Sequence, residues 1–290
     1  MKFSTTIVSV LLFFSSVFLG CKKASEDIFS ANIQRMVKES ALAQAAFDDV
    51  IKVTENILMN NADAKVGAIG APLGCVTNID TVVLSPTSKK YTISFDPACT
   101  SYDGKARRGI LNVLLNGTNY NTSGSSIEVT FEEFHINNYH IQGKLVVLNE
   151  GNDSFLVTVS DAASSGSFAS LYVFDSAKPT FWKSTQRRIL YEGGSDMIII
   201  NNKYKIQATN EASIISEGIT TDNGNYSGIL INDIILDYSC IATGKMRYPT
   251  SGYLKMDLGG KPRYLNYGDL TCDTEVSMNW AGASTTFSLY

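Results

Sequence analysis

The chain has 290 residues, of which 24 are basic and 28 acidic, and its formal net charge is −4. This balance provides no basic surface for nucleic acid, so we expect no nucleic-acid partner. About 270 residues remain beyond an N-terminal leader, enough to bury one large core or two small ones without help from a metal.

The first 20 residues have the organisation of a secretory signal peptide. Lys2 precedes an apolar run that extends from residue 7 to residue 19, and Gly20 ends that run. A membrane-spanning helix needs about 20 apolar residues, whereas this run has about 13. We therefore expect residues 1–20 to direct export and not to be the final anchor.

A cysteine directly follows this leader. The segment Phe18-Leu19-Gly20-Cys21 resembles the lipobox of bacterial lipoproteins, although Phe18 stands where the usual pattern has Leu. In those proteins the cysteine thiol receives a diacylglycerol and the preceding peptide is removed. The resemblance implies that Cys21 is the lipid-attachment residue, that residues 21–27 are a lipidated tether, and that the lipid bilayer is a partner. A plain signal peptide followed by a chance cysteine is the alternative.

Residues 28–59 contain no Pro or Gly, and their apolar positions recur at three-four spacing. This period predicts an amphipathic helix, or a broken pair of helices, that packs one face on the rest of the protein. The face comprises Phe47, Val50, Ile51, Thr54, Ile57 and Leu58. Consecutive helical residues point about 100° apart, so we interpret Asp48 and Asp49 as a solvated edge and not as an acid/base pair.

Residues 60–74 are rich in Gly, Ala and Asn and predict a linker. From residue 75 onward, short β-branched and aromatic runs alternate with turn residues, which predicts an antiparallel all-β body over residues 75–290. The fold class is therefore mainly β, with an N-terminal amphipathic helix and a large antiparallel β-sheet or sandwich. The body could consist of two related halves, residues 75–175 and 176–290.

Two Asn-Asn pairs predict hairpin turns, because Asn tolerates positive φ. One pair, Asn137-Asn138, separates two short runs that each contain a histidine. The other pair, Asn201-Asn202, lies at the centre of residues 197–208.

Four cysteines follow Cys21, at positions 75, 99, 240 and 272. An even number in an exported chain indicates two disulfides, with three possible connectivities. Cys99 and Cys272 each end a strand-like run with an aromatic residue and an acidic turn, and each is preceded by a cysteine beside an apolar run. These similar contexts predict two local pairs, Cys75 with Cys99 and Cys240 with Cys272.

Several segments are similar, in the same order, to a group of uncharacterised lipoproteins of the Bacteroidota. They are "AAFDDVIKVTENI", "YTISFDPACTSYDGKARRGILNVLLNG", "VTFEEFHINNYHIQGKLVVLNEG", "PTFWKSTQRRILYEGG" and "LNYGDLTCDTEVSMNWAG", and they run from about residue 40 to the C-terminus. That group typically has a Gly-x-Gly-Thr-Cys-Asp turn, in which Leu270 here replaces the second glycine. The resemblance implies a lipid-anchored, extracytoplasmic all-β protein in the cell envelope, at the outer membrane, but it implies no activity.

Reaction signatures are scarce in this sequence. The two histidines, His135 and His140, lie near Glu132 and Glu133, and imidazole and carboxylate are zinc ligands. A hairpin at Asn137-Asn138 would instead turn these side chains to water, so we expect no metal and no cofactor. The common hydrolase, nucleotide-binding and redox motifs are missing from the sequence.

We therefore expect a noncatalytic protein that binds an envelope protein or a glycan. Four aromatic residues in the middle of the chain form either core or a binding face: Tyr172, Phe174, Phe181 and Trp182. One alternative is a structural component of the envelope. The other is a polymer hydrolase that uses carboxylates such as Asp96, Asp161 or Glu217.

Two short segments resemble the Asp-Ser/Thr-aliphatic acceptor motif for O-glycosylation in the same bacterial phylum. They place the acceptor oxygens at Thr81 and Ser176. We therefore expect these two residues as candidate glycosylation sites.

Overall fold

The structure is a computed structural model. It describes residues 33–59, 75–101, 103–163, 167–172, 178–194, 201–241, 249–258, 260–273, 275–280 and 283–288. Cys21, Phe174 and Ser176, together with the predicted signal peptide, tether and linker, lie outside these ranges.

The fold consists of one helix followed by strands, as the sequence predicts. Helix α1 covers residues 33–59. The strands are β1 (Val76–Ser85), β2 (Ser88–Phe95), β3 (Arg107–Asn116), β4 (Ser126–Ile136), β5 (Tyr139–Gln142), β6 (Lys144–Gly151), β7 (Ser154–Ser160), β8 (Ala169–Tyr172), β9 (Thr180–Glu192), β10 (Lys203–Ala208), β11 (Ile214–Ile219), β12 (Asn225–Asp237), β13 (Ser251–Leu258), β14 (Lys261–Asp269), β15 (Glu275–Trp280) and β16 (Ala283–Ser288).

All 16 strands belong to one antiparallel sheet. The main path runs β1-β2-β3-β4-β5-β8-β9-β10-β12-β13-β14-β15-β16, while β6 and β7 connect β4 to β9, and β11 lies between β9 and β12. Strand β9 pairs with β7 and β8 from the first predicted half and with β10 and β11 from the second. The sheet is therefore continuous across residue 176, and a relationship between the halves stays a prediction.

Two compact units divide the chain between residues 38 and 39. The described part of the first unit is the helical segment 33–38. The second unit, residues 39–290, contains the rest of α1 and the whole sheet. The second unit thus includes most of the helix together with the sheet.

Strand alternation places one face of the sheet against α1. In β6, for example, Leu145 and Val147 are buried, while the residues between them are partly exposed. Helix residue Phe47 stacks on Trp182 of β9, with ring centroids 5.4 Å apart. Trp182 is 1% exposed and is therefore a core residue, not part of a binding face.

The helix is not amphipathic along its C-terminal half, so the predicted solvated edge is wrong. Every residue from 45 to 57 is buried, because the sheet surrounds this segment. Asp48 is only 9% exposed and Asp49 only 3%. A charged group in such surroundings needs an opposite charge or hydrogen bonds from the sheet.

The two predicted hairpins have different outcomes. Asn137 has φ 53° in the turn between β4 and β5, where Ile136 pairs with Tyr139, and this hairpin is confirmed. The first strand of the other predicted hairpin, residues 197–200, lies outside the described ranges, so the hairpin at Asn201-Asn202 stays a prediction. Strand β10, which follows Asn202, pairs with β9 and with β12.

Both predicted disulfides are confirmed. Cys75 pairs with Cys99 and links the start of β1 to the turn after β2. Cys240 pairs with Cys272 and links a 3-10 turn, Tyr238–Ile241, to the segment after β14. These bonds close loops of 24 and 32 residues, and each is expected to stabilise the fold by about 3–4 kcal/mol through loop closure.

Leu270, which replaces a glycine of the resembled group, adopts the backbone conformation that glycine favours. Its φ is 76°, its side chain is 62% exposed, and Gly268 two residues earlier has φ 103°. A leucine in this region carries a steric cost of roughly 1–2 kcal/mol.

Candidate functional site

A cluster of five charged residues lies between the helix and β3. The carboxylate of Asp49 accepts hydrogen bonds from Arg107 at 2.7 and 2.8 Å and from Lys105 at 2.8 Å. Asp103 accepts from Arg107 at 2.6 Å and from Lys52 at 3.1 Å. All five side chains are at most 6% exposed, so this is an ion cluster inside the core.

The cluster has three cations and two anions, so it carries one excess positive charge when every group is ionised. Burial lowers the pKa of Lys105 to about 8. The neighbouring cations Lys52 and Arg107 also lower this pKa, whereas the charge of Asp49 raises it. The three cations hold the pKa of Asp49 well below its usual range although burial opposes them. Lys105 is therefore the member that can release a proton most easily.

Two more acidic residues of the helix have partners outside this ion cluster. Asp48 forms an ion pair with Arg188 of β9, and Gln44 donates to the same carboxylate at 2.7 Å. Glu39 accepts hydrogen bonds from the Thr180 hydroxyl at 2.6 Å and from Thr221 through both its backbone amide and its hydroxyl. The acidic residues thus fix the rotation of the helix relative to three parts of the sheet.

Glu55 is the acidic residue closest to the C-terminal end of the helix. It accepts hydrogen bonds from the hydroxyls of Tyr120, at 2.5 Å, and Tyr204, at 3.3 Å. Burial raises the pKa of Glu55, although both hydroxyls and the charge of Arg188 oppose this rise. Burial and the neighbouring Glu55 also raise the pKa of both tyrosines, so they remain protonated donors.

A cavity of about 290 Å³ lies at this end of the fold, next to the last helix residue, Met59. Four parts of the chain meet there: the β3–β4 loop, the β6–β7 turn, the end of β9 and the start of β10. Besides Met59, the lining consists of Tyr120, Asn121, Ser123, Asn149, Gly151, Asn152, Asp153, Phe155, Leu190, Gly194, Asn202 and Tyr204.

Aromatic rings form the base of this end cavity. Tyr120 stacks on Phe155 with centroids 5.5 Å apart, and Phe155 contacts Tyr204 edge-on at 6.5 Å. Two buried amides hold the surrounding turns: Asn149 donates to the Tyr120 carbonyl at 3.1 Å, and Asn202 accepts from the Gly194 amide at 2.9 Å.

The rim of the end cavity is polar and exposed. It consists of Asn121, Ser123, Asn152 and Asp153. Asn152 and Asp153 have φ 51° and 57°, the left-handed conformation of a tight β6–β7 turn. Among the described residues that line the cavity, Asp153 is the only charged one, so this part of the lining favours a neutral polar group and disfavours an anion.

A second, more open cavity of about 390 Å³ lies beside β9 and β11. Glu217, one of the candidate hydrolase acids, contributes to its wall and pairs with Lys183 at 2.9 Å. The other wall residues are aliphatic or carry small hydroxyl or amide groups, and none is aromatic. Of the two cavities formed by described residues above, the end cavity is the stronger candidate, because it combines an aromatic base with a polar rim and the open cavity does not.

The other candidate acids are not paired for catalysis. Asp96 accepts from the Ala98 amide at 2.9 Å, and Asp161 accepts from the Ala163 amide at 2.7 Å. Both contacts are short-range turn contacts, which explains why aspartate suits these positions.

The two histidines face each other across the β4–β5 hairpin, as the turn dictates. Their rings stack at 4.5 Å, and His140 also stacks on Tyr172 of β8 at 5.7 Å. The Nδ1 atom of His135 lies 2.9 Å from the carbonyl oxygen of Glu133. Among the described residues, no group of three or more His, Cys, Asp or Glu side chains is arranged to hold a metal ion.

Other sequence candidates lie apart from the end cavity. Tyr172 and Phe181 lie on the partly exposed side of β8 and β9, and Phe181 is 37% exposed. Thr81 is half-buried in β1. The predicted glycosylation of Thr81 stays a prediction, since its side chain retains some exposure.

Sequence reasoning did not identify the residues of the end cavity. Tyr120 and the Asn149–Asp153 turn have turn-like sequences with no reaction motif, and their convergence depends on the sheet topology. The ion cluster had a detectable signal, because Arg107 begins β3 and Lys105 lies two residues before it, a spacing that places both side chains on the same side of an extended segment. The two cations could therefore have been assigned as ion-pair partners of the acidic residues on the helix.

Models of protein families, curated proteins and solved structures were compared with this chain, and none of them matches it. No helix in the described part of the chain combines the length and the apolarity needed to cross a membrane.

Proposed function

We propose that this chain is a lipid-anchored protein of the cell envelope, attached to the outer membrane through acylated Cys21, with a noncatalytic binding role. The lipobox-like segment supports the anchor. The end cavity supports the binding role, and we propose that it holds one neutral residue of an envelope glycan.

The size and lining of the end cavity are the observations that carry this proposal. Its volume of about 290 Å³ is near the lower limit of small-molecule sites, which are roughly 300–1,000 Å³. It therefore suits a single sugar ring better than an extended polymer segment. Tyr120 and Phe155 of the lining offer apolar contact to the sugar ring, while the amides of Asn121 and Asn152 can donate to and accept from hydroxyl groups.

The arrangement of acids favours binding over hydrolysis. Glycosidases need two carboxyl groups on either side of the scissile bond, about 5–9.5 Å apart depending on the mechanism. Within the part of the chain that the structure describes, Asp153 at the rim is the only acidic residue that lines the cavity. Glu55 is 2% exposed, and both its oxygens accept hydrogen bonds from tyrosine hydroxyls, so a substrate could not reach it without opening the core.

The binding role can be tested with a tryptophan that blocks the cavity mouth. Asn121→Trp places a large ring at the rim, and Asn138→Trp is the matched control, since Asn138 is an exposed turn residue outside the cavity. Each variant is recovered from the producing cells, and the copurified saccharide is quantified. We expect saccharide with the natural chain and with Asn138→Trp, and at least tenfold less with Asn121→Trp.

Equal saccharide recovery with all three chains would reject the end cavity as the site. No saccharide with any chain would favour the structural role. The anchor is tested separately: Cys21→Ala should abolish labelling by palmitate and release the protein from membranes. Retained label in that variant would reject Cys21 as the acylated residue.

A further inference from the structure

The β1–β2 hairpin has an apolar segment that neither face of the sheet covers. Val82, Val83 and Leu84 are consecutive in β1, and they are 53%, 65% and 58% exposed. Because side chains alternate along a strand, a packed edge strand would bury at least one of these three. The end of the hairpin therefore extends beyond the part of the sheet that packs against the core.

Two lysines lie directly opposite this segment on β2. Val82 pairs with Lys90, and Val83 pairs with Lys89. The described residues include eight exposed large hydrophobic side chains, and only here are three of them adjacent. The surface formed by residues 82–84, 89 and 90, which we call the apolar tip, thus combines apolar side chains with two positive charges.

We infer that the apolar tip docks on the surface of a lipid bilayer that contains anionic phospholipid. The three apolar side chains enter the boundary between headgroups and acyl chains, and Lys89 and Lys90 reach the phosphate groups with their flexible stems. This inference goes beyond the proposed function. It depends on that proposal only in that anchoring keeps the bilayer within reach.

The geometry of β1 favours a bilayer over a protein strand as the occupant. Strand addition needs a regular edge of backbone donors and acceptors. The β1 edge has irregular register between Val76 and Asn78 and between Val83 and Ser85, and such bulges disfavour edge-to-edge pairing. In the headgroup region of a bilayer, phosphate charges and acyl chains lie within the length of one side chain. Apolar side chains on both faces of β1, with lysines beside them on β2, suit insertion into that region.

The test places a fluorescent probe on the apolar tip of the full chain, purified from its producing cells and reconstituted into vesicles. Leu84→Trp reports on the tip, and Ile231→Trp is the matched control, because Ile231 is 49% exposed on β12. The vesicles contain brominated phospholipid as a quencher and one third phosphatidylglycerol. Fluorescence of the natural chain, which has two tryptophans, is subtracted.

We expect strong quenching of the added tryptophan at position 84 and little at position 231. In the Leu84→Trp background, Lys89→Gln and Lys90→Gln should each lower the ratio of docked to undocked tip roughly fivefold. Equal quenching at positions 84 and 231 would overturn the inference, as would crosslinking through position 84 to a second copy or another protein. Quenching that does not change when both lysines are replaced would overturn the role of the anionic headgroups.

The measurement does not depend on how the chain is held at the vesicle. Either acylated Cys21 or an uncleaved N-terminal segment would keep it there, and palmitate labelling distinguishes the two. Absent label with preferential quenching would reject the lipid anchor alone, whereas label without preferential quenching would reject the docking of the apolar tip alone.

Discussion

Replacing Asp49 by asparagine removes the carboxylate on which three buried cations converge. Arg107, Lys105 and Lys52 lie 2.7, 2.8 and 3.0 Å from one of its oxygens. After the replacement only Asp103 remains to balance the three charges, and the side chain of Arg107 has no exposed surface from which to reach water. Breaking a buried ion pair in this way costs about 3–5 kcal/mol of unfolding free energy.

The effect should be visible in both chemical and thermal unfolding. For a domain of this size, 1 kcal/mol corresponds to about 2–4 °C, so the expected decrease in Tm is roughly 6–20 °C. The control is Glu150→Gln, because Glu150 pairs with Arg187 at 2.7 Å on the surface, where an ion pair contributes about 0–1 kcal/mol. Equal destabilisation by the two replacements would refute the view that the cluster holds the helix inside the sheet.

Three further predictions concern single residues. Lys105 in the folded chain has a pKa near 8, so it loses its proton at a lower pH than it does in the unfolded chain. Raising the pH from 8 to 10 should therefore increase the unfolding free energy of the natural chain by about 2 kcal/mol relative to Lys105→Met, measured by urea titration. A difference that stays constant with pH would contradict this. Glu55 has a raised pKa, so its stabilising effect is complete below its unfolded pKa and is lost as the pH rises. The unfolding free energy of Glu55→Gln relative to the natural chain should therefore be higher at pH 7 than at pH 4.5, and the opposite order would exclude the raised pKa. Leu270→Gly relieves the positive φ and should raise the unfolding free energy by up to about 1 kcal/mol after the entropy cost of glycine; a decrease would show that the leucine side chain makes a stabilising contact.

Local signals in the sequence predicted the local features of the fold. The four cysteines beyond the leader pair as their contexts indicate, and Asn137 forms the turn that its conformational preference predicts. These features depend on residues close together in the chain. Pattern and turn chemistry therefore suffice to predict them.

The environment of the helix depends on distant parts of the chain. Asp48 lies 140 residues from its partner Arg188, and Glu55 lies 149 residues from Tyr204. A charged residue on a helix usually faces water, so the sequence alone suggested a solvated edge.

The candidate site also depends on non-local structure. Met59, Tyr120 and Tyr204 come from three separated segments, and they meet only because the sheet surrounds the helix. Their individual sequences contain no motif for binding. Asp153 is the only charged residue among the described residues of the lining, and its place there became evident only when these segments were brought together.

Equilibrium dialysis of the saccharide recovered from the natural chain, followed by its mass measurement, tests the central claim most directly. We expect one saccharide bound per chain, at least tenfold weaker binding by Asn121→Trp than by Asn138→Trp, and an unchanged saccharide mass after incubation. A shortened saccharide would show hydrolysis, and equal binding by the two variants would place the site elsewhere. Either result would contradict noncatalytic binding in the end cavity.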